Sequence, residues 1–341
     1  MTVKKNDLLQ EFKNKKILIT GGTGSIGFGL ASQLMKYEPS TIRILSNDEN
    51  SIFEMRRLFP KNNILTFRIG DVRDRDRLNL AIKNIDIVFH AAAMKHVDIC
   101  EQNPFDAVKT NVVGTSNILE ASIIENVSKF VFISTDKATN PTSTLGASKL
   151  LAERLTLDAS SYRGKGKTIF SIVRFGNVIG SRGSVFQIFL EQIRKGKPLT
   201  VTDSRMTRFI MSIPEATNLI LEVTNIAKDR EVFILKMPSV RIIDLARSMV
   251  RICKTEVLHG KNPPLIKISK LREGERFHEF LITRDEIPFC HDMGKMYKIT
   301  KEIVGGKKLN EMNFSSQTAP KLSQERLDKI INELLHEYKY Y

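Results

Sequence analysis

The run Gly21-Gly-Thr-Gly24-Ser-Ile-Gly27 constrains this chain more than any other feature. Its glycines recur at every third position, directly after the β-rich segment 16–20 (Lys-Ile-Leu-Ile-Thr) and at the head of a helix-like stretch, 26–37. Strand, glycine turn and helix in that order make a phosphate cradle. The first glycine permits the tight turn, and the second lets backbone approach a pyrophosphate. The third allows helix and strand to pack closely, and the helix N-terminus favours the anion. Gly21, Thr23, Gly24, Ser25, Ile26 and Gly27 are therefore expected to hold a dinucleotide.

Further strands are expected at 41–45, 64–69, 85–90, 129–134 and 168–174, with helices at 107–126 and 147–159 between them. Strands alternating with helices predict an α/β fold of the Rossmann type, a doubly wound parallel sheet covered on both faces. Beyond 174 the alternation weakens. A helix near 214–227 and a strand at 231–235 should return to the sheet, and 255–341 reads as a smaller α+β cap ending in a charged helix, 323–338. The expected division is a dinucleotide-binding Rossmann domain, 1–178, with a return segment, 212–245. A smaller α+β substrate-binding domain is expected from 179–211 and 246–341.

Charge narrows the partner. Lys and Arg outnumber Asp and Glu by 53 to 38, a net +15. The excess is spread along the chain, with no basic arm or zinc-ligand set, so an anionic small molecule is expected and nucleic acid is not. Cys100, Cys253 and Cys290 are dispersed and odd in number, which fits neither a disulfide framework nor a metal site and suits a reducing cytoplasm. The polar segment 1–16 has no signal-peptide core, and no run approaches the roughly 20 apolar residues of a membrane span, so no membrane insertion is expected.

Two other strand ends carry cofactor signals. Asp71 and Val72 follow the third strand, where the acid can accept from an adenine amine or cap a helix. Ala91, Ala92 and Ala93 follow His90 and are small enough for a dinucleotide to lie against backbone. The fifth strand ends in Ser134-Thr135-Asp136-Lys137, which offers a hydrogen-bond donor, an acid and a base in one cavity.

These features together resemble the extended short-chain dehydrogenase/reductase superfamily: TGGxGxxG at 20–27, DxxD at 71–74, HAAA at 90–93, and Asn111 in the helix after the fourth strand. The superfamily's Tyr-x-x-x-Lys has its lysine in Lys149, whereas Leu145 stands in the tyrosine's place. Thr135-Asp136-Lys137, Asn140-Pro-Thr and Gly146-Ala-Ser-Lys149 resemble a particular branch, the UDP-N-acetylglucosamine 4,6-dehydratases of polysaccharide biosynthesis. Some members carry methionine at the tyrosine position and remain competent. Blocks at 91–97, 174–178, 180–185, 207–209 and 271–276 extend the resemblance over 15–286. Longer members carry an N-terminal membrane region; this chain resembles the soluble forms.

The resemblance implies internal oxidation, water loss and reduction of a UDP-sugar by a cofactor that is regenerated each turnover. Lys137 would remove the C5 proton, Asp136 would protonate the departing O6 hydroxyl, and Thr135 would hydrogen-bond O4. Lys149 and Asn111 would stand beside the cofactor. Lys95 would approach the sugar, and Asn177, Arg208, Arg272 and Glu275 would hold the nucleotide. A homo-oligomer is expected. Relatives using NADP often read Ser-Arg-Asp-Glu where this chain has Ser46-Asn47-Asp48-Glu49, so Asn47 points to NAD. NADP is the alternative, through Arg43, Arg73 or Ser46. The group that takes the O4 proton and the face on which C5 is reprotonated stay open. A 4-epimerase normally keeps the tyrosine and has no need of Asp136 and Lys137. A non-catalytic dinucleotide-binding regulator is favoured by Leu145 and opposed by the complete Thr-Asp-Lys set.

Overall fold

The computed structural model describes residues 3–60, 63–258, 264–271, 273–301, 309 and 314–337. Short β-branched and aromatic runs form the first six strands: β1 (Lys16–Thr20), β2 (Thr41–Ser46), β3 (Leu65–Ile69), β4 (Ile87–His90), β5 (Lys129–Thr135) and β6 (Ile169–Phe175). Three shorter strands follow, β7 (Asn177–Val178), β8 (Leu199–Val201) and β9 (Thr207–Met211), before β10 (Glu231–Leu235) returns to the large sheet. There the order β3-β2-β1-β4-β5-β6-β10 is parallel throughout.

Ile17, Leu18 and Ile19 of β1, Val88 and Phe89 of β4, and Phe130 to Phe132 of β5 are wholly buried. Runs without alternation belong in a sheet covered on both sides. Helix Ser25–Leu34 packs on Ile213–Ile226, while Gly114–Ile124 packs on Arg75–Ala81 and Thr144–Asp158. Helix Ile213–Ile226 starts where the sequence stops it from starting earlier. Ser212 and Glu215 form a capping box, and Pro214 sits in the first turn, where its missing N–H costs nothing.

Three features differ from the sequence expectation. The helix expected over 107–126 begins at Pro104 and carries a π-type turn, Lys109–Val113, before Gly114–Ile124. More of the tail belongs to the main sheet than expected. After β11 (Ser239–Arg241) and β12 (Ile266–Ile268), the hairpin of β13 (Cys290–Asp292) and β14 (Met296–Ile299) adds antiparallel to β10. Met296 and Tyr297 are buried there, so the hairpin closes the sheet edge with an apolar face. A second core lies between helices Val185–Arg194, Ile242–Glu256 and Gln324–Glu337, filled by Phe186, Phe189, Leu245, Met249, Leu327 and Ile331. Residues 239–245, read from sequence as part of the return segment, contribute Val240 and Ile242 to this core.

Candidate active site

Strands β1 and β4 are neighbours whose following helices pack on opposite faces, so a crevice opens at their C-terminal ends. Their ends are tied by Thr20 Oγ1 and His90 Nδ1 at 2.6 Å, and His90 Nε2 meets Thr115 Oγ1 at 3.0 Å. Burial, with the Lys149 charge added, lowers the His90 pKa to about 3, so this imidazole is a neutral brace. Gly21 has φ +63°, and a Cβ there would lie 2.7 Å from Ala92 Cα. A Cβ on Gly27 would lie 2.5 Å from Gly22 Cα. Only glycine allows this turn to approach both β4 and its own helix so closely.

The crevice holds about 840 Å³ and is lined by Gly21, Thr23, Gly24, Ser25, Ile26, Gly27, Asn47, Asp71, Val72, Ala91, Ala92, Ala93 and Lys149. Its size and its bare backbone fit a dinucleotide. Asn111 is the exception among the sequence-derived cofactor residues. It is buried, its Oδ1 accepts from Met94 N–H at 2.8 Å, and its Nδ2 donates to Met94 O and Ser148 Oγ. The π-type turn aims it at the loop after β4, so it braces the crevice wall instead of lining it.

At the end of the crevice beside β2 and β3, Asn47 Nδ2 donates to Asp71 at 3.0 Å, and Arg73 grips the same carboxylate with two bonds of 2.9 and 2.8 Å. Those Arg73 bonds lower the Asp71 pKa to about 2. Asp48 caps helix Glu49–Leu58, accepting from Ser51 N–H. Arg43 turns away to the carbonyls of Ala81 and Lys83, and Ser46 is buried against Thr23 Oγ1 at 2.8 Å. Sequence reasoning missed Arg182. Its N–H donates to Ser25 Oγ at 3.0 Å, its Nη1 to Ser51 Oγ at 3.1 Å, and its carbonyl accepts from Lys95 Nζ at 2.5 Å. The loop after β7 therefore crosses the crevice mouth. The 180–185 block signalled this loop; its reach across the fold is tertiary.

The segment expected to be catalytic sits where β5 ends. Thr135 Oγ1 donates to Asp136 Oδ1 at 3.0 Å and accepts from Lys137 N–H as the chain enters a 3₁₀ turn, Asp136–Ala138. Lys137 Nζ lies 3.0 Å from Asp136 Oδ1 and 3.4 Å from Glu279 Oε1. Thr135 and Lys137 line the crevice. Asp136 does not share that wall, contrary to the expectation that all three face one cavity. It is fully buried behind them, and its Oδ2 has no hydrogen-bond partner.

Burial raises the Asp136 pKa, with Lys137 opposing and Glu279 adding to the rise. For Lys137, burial disfavours the ammonium, but Asp136 and Glu279 outweigh it and raise the pKa. Glu279 is pushed up by burial and pulled down further by Lys137, Arg208 and Arg276. Glu279 lies just past the 271–276 block and has no local pattern that marks it. Lys149 is different. Its Nζ donates to Ile133 O at 2.7 Å and stands 4.0 Å from the Phe132 ring centroid. Burial lowers its pKa to about 7, with Glu153 opposing. Leu145 is buried beside Cys100 and Ala107, with an edge on the crevice.

A second cavity of about 390 Å³ adjoins the first and shares Lys95, Lys137 and Asn177 with it; Arg208, Glu275 and Glu279 line its far side. Arg208 lies 3.7 Å from Glu275 and 3.8 Å from Glu279. Asn177 Oδ1 and Glu279 Oε2 are buried without hydrogen-bond partners, a costly state that suits atoms shaped for a ligand. Arg272 lies outside the described residues. Arg174 fixes the surrounding segment: its buried guanidinium bonds Glu153 at 2.7 Å, Glu286 at 2.9 Å and Leu281 O at 3.0 Å.

A family profile described as polysaccharide biosynthesis protein matches residues 17–301. An uncharacterized membrane protein of Methanocaldococcus jannaschii is 48% identical over 96% of this chain and 98% of its own length. A UDP-N-acetylglucosamine 4,6-dehydratase (inverting) of Campylobacter jejuni is 41% identical over 86% of this chain and 84% of its own. A UDP-glucose 4-epimerase of Rickettsia prowazekii is 38% identical over 89% and 87%. Among the described residues no helix is long and apolar enough to cross a membrane.

Proposed function

The chain belongs to the polysaccharide biosynthesis protein family, and from that premise we propose that it is a nucleotide-sugar 4,6-dehydratase. Its substrate is UDP-N-acetylglucosamine or a close UDP-N-acetylhexosamine, and its cofactor is NAD. The observation that carries this reading is Lys137 at the junction of the two cavities, paired with Asp136. Inversion at C4 needs no acid and base beyond C4 itself; water loss across C5 and C6 needs both.

The Gly21–Gly27 turn and the Ala91–Ala93 wall of the larger crevice would hold a nicotinamide dinucleotide, which would supply hydride uptake from C4 and its return at C6. The chain's own groups manage protons. Lys137 as the amine takes the C5 proton made acidic by the C4 ketone. Asp136 as the acid protonates O6, which leaves as water. Lys137 then returns a proton to C5. Net water loss consumes no proton, so the proton released from O4 must replace the one Asp136 gives to O6. The Lys137–Asp136 contact of 3.0 Å lets one shared proton convert an ion pair to amine plus acid, and burial, which raises the Asp136 pKa, reduces the cost of reaching that neutral form. Asp136 reaches the sugar by turning its carboxyl from the side where Oδ2 lacks a partner. Thr135 donates to O4. Arg208 and Asn177 meet the diphosphate, Glu275 the ribose hydroxyls, and Lys95 the sugar, as charge and position suit. The sequence expectation gave Arg272 to the diphosphate as well.

Homo-oligomer formation is supported by Phe105, 82% exposed, with Val108 and Leu151 exposed on the packed helices Pro104–Val108 and Thr144–Asp158. The epimerase reading is favoured by the likeness to the Rickettsia protein. Mass analysis after incubation with UDP-N-acetylglucosamine separates them. Loss of one water is expected; unchanged mass with an inverted sugar would refute the dehydratase reading.

A further inference from the structure

We propose that Glu279 is a positioning residue for this reaction: its buried carboxylate draws the Lys137 ammonium off Asp136, so Lys137 can hold the C5 proton while Asp136 keeps the proton it gives to O6. The inference rests on the dehydratase reading. A lysine facing Asp136 alone would, on taking the C5 proton, fix Asp136 as its counter-ion. A carboxylate so held is the wrong state for donating to O6. A second carboxylate removes that conflict.

The geometry is suited to the role. Lys137 Nζ bridges Asp136 at 3.0 Å and Glu279 at 3.4 Å. Glu279 is only 2% exposed, yet Arg208 and Arg276 stop at 3.8 Å, short of hydrogen bonds. A carboxylate kept for structure alone would be closed off by such guanidinium groups; here Oε2 has no hydrogen-bond partner and Oε1 faces Lys137. The backbone of Glu279 is fixed. Its N–H donates to Ser316 Oγ at 2.9 Å, its carbonyl accepts from Ser316 N–H at 2.8 Å, and Arg174 holds Leu281 O. The charged groups facing the Asp136–Lys137–Glu279 row are Arg208 from β9 and Arg276 and Glu275 from the segment of Glu279 itself. His278 bonds instead to Thr207 Oγ1 at 2.8 Å.

The test is the pH profile of kcat for water loss in the unaltered enzyme, Glu279→Gln and Glu279→Asp. The negative charge of Glu279 favours the protonated forms of both Lys137 and Asp136. Its removal lets both lose protons more readily, so the bell should move toward acid by about one pH unit or more. In E279Q kcat at the original optimum should fall about tenfold or more, with KM for the UDP-sugar within about threefold. E279D withdraws the charge by one methylene, so its bell should move the same way by less. If E279Q does not fold, E279D decides. An unmoved bell in the folded variants, whatever the loss in rate, overturns the role of Glu279. Absence of water loss by the unaltered enzyme overturns the dehydratase reading and this inference with it.

Discussion

Replacing Lys149 by methionine should make the protein more stable and the enzyme slower. The lysine is 6% exposed, with one carbonyl and one aromatic ring around its ammonium. Burial lowers its pKa from 10.5 to about 7. In the unfolded chain it stays protonated up to 10.5; folded, it loses its proton near 7. Its contribution to stability is therefore most favourable above 10.5, falls as pH drops from 10.5 to about 7, and is level below that. Across the window the unfolded state holds one more proton, worth about 1.4 kcal/mol per pH unit, so the full cost near neutrality has a ceiling of roughly 4–5 kcal/mol. Lys149→Met also forgoes the bond to Ile133 O, worth about 1 kcal/mol, and water entering the crevice reduces the penalty. A gain of roughly 2–4 kcal/mol near pH 7 is expected. Urea unfolding of the cofactor-stripped proteins at about pH 7.5 and about pH 9 reads it: the gap between variant and parent should narrow by about 2 kcal/mol. Parallel stability curves would show that Lys149 stays charged in the folded protein, and the reasoning from burial would fail.

Asp136→Asn and Lys137→Ala should each abolish water loss while the purified protein still carries its dinucleotide; elimination near the parental rate in both would remove them from the chemistry. Leu145→Ala should cost about 2–3 kcal/mol in thermal unfolding, toward the low end for a buried leucine because its edge borders the crevice, with only a modest loss of kcat. Arg208→Ala should weaken UDP binding by roughly 1.5–3 kcal/mol in calorimetric titration; unchanged affinity would move the diphosphate elsewhere. The apoprotein should bind NAD more tightly than NADP, and Asn47→Arg should reverse or narrow that preference; tighter NADP binding by the unaltered chain would implicate Arg73 or Arg182.

What was legible in the sequence was whatever local pattern enforces. The strand–glycine–helix order marked the crevice because Gly21 at positive φ and Gly27 against Gly22 occupy places where a Cβ would clash. Apolar runs such as 129–134 found their strands because both faces of the sheet are covered. Glu279 and Arg182 were not legible. Each acts across a fold-level gap, on Lys137 at a distance of 142 residues along the chain and on Ser25 at 157. Neither has a neighbour whose spacing announces the contact. Asn111 was found by resemblance, but its amide goes to Met94 because a π-type turn rotates it, and helical periodicity cannot anticipate one inserted residue. The β13–β14 hairpin was assigned to the cap because its seven or so apolar and polar residues alternate too briefly to show which sheet they complete.

The site contains two lysines with opposite electrostatic surroundings, and that contrast is a consequence of the sheet. Both flank the end of β5, Lys137 in the turn that leaves it and Lys149 on helix Thr144–Asp158, which packs back against it. Lys149 meets a carbonyl and a ring, so burial dominates and its charge is disfavoured. Lys137 meets Asp136 and Glu279, so the carboxylates dominate and its charge is favoured. Titratable groups pushed apart by their surroundings are how one cavity sustains both acid and base chemistry near neutrality. Here a positively charged nicotinamide beside Lys149 would be repelled by an ammonium and tolerates an amine. On the proposed reading, a proton arriving from C5 at Lys137 would meet the Glu279 carboxylate ready to stabilise it while Asp136 holds its own proton. One lysine could not satisfy both demands, because the low-charge surroundings needed beside the cofactor would expel the proton that must be held for C5.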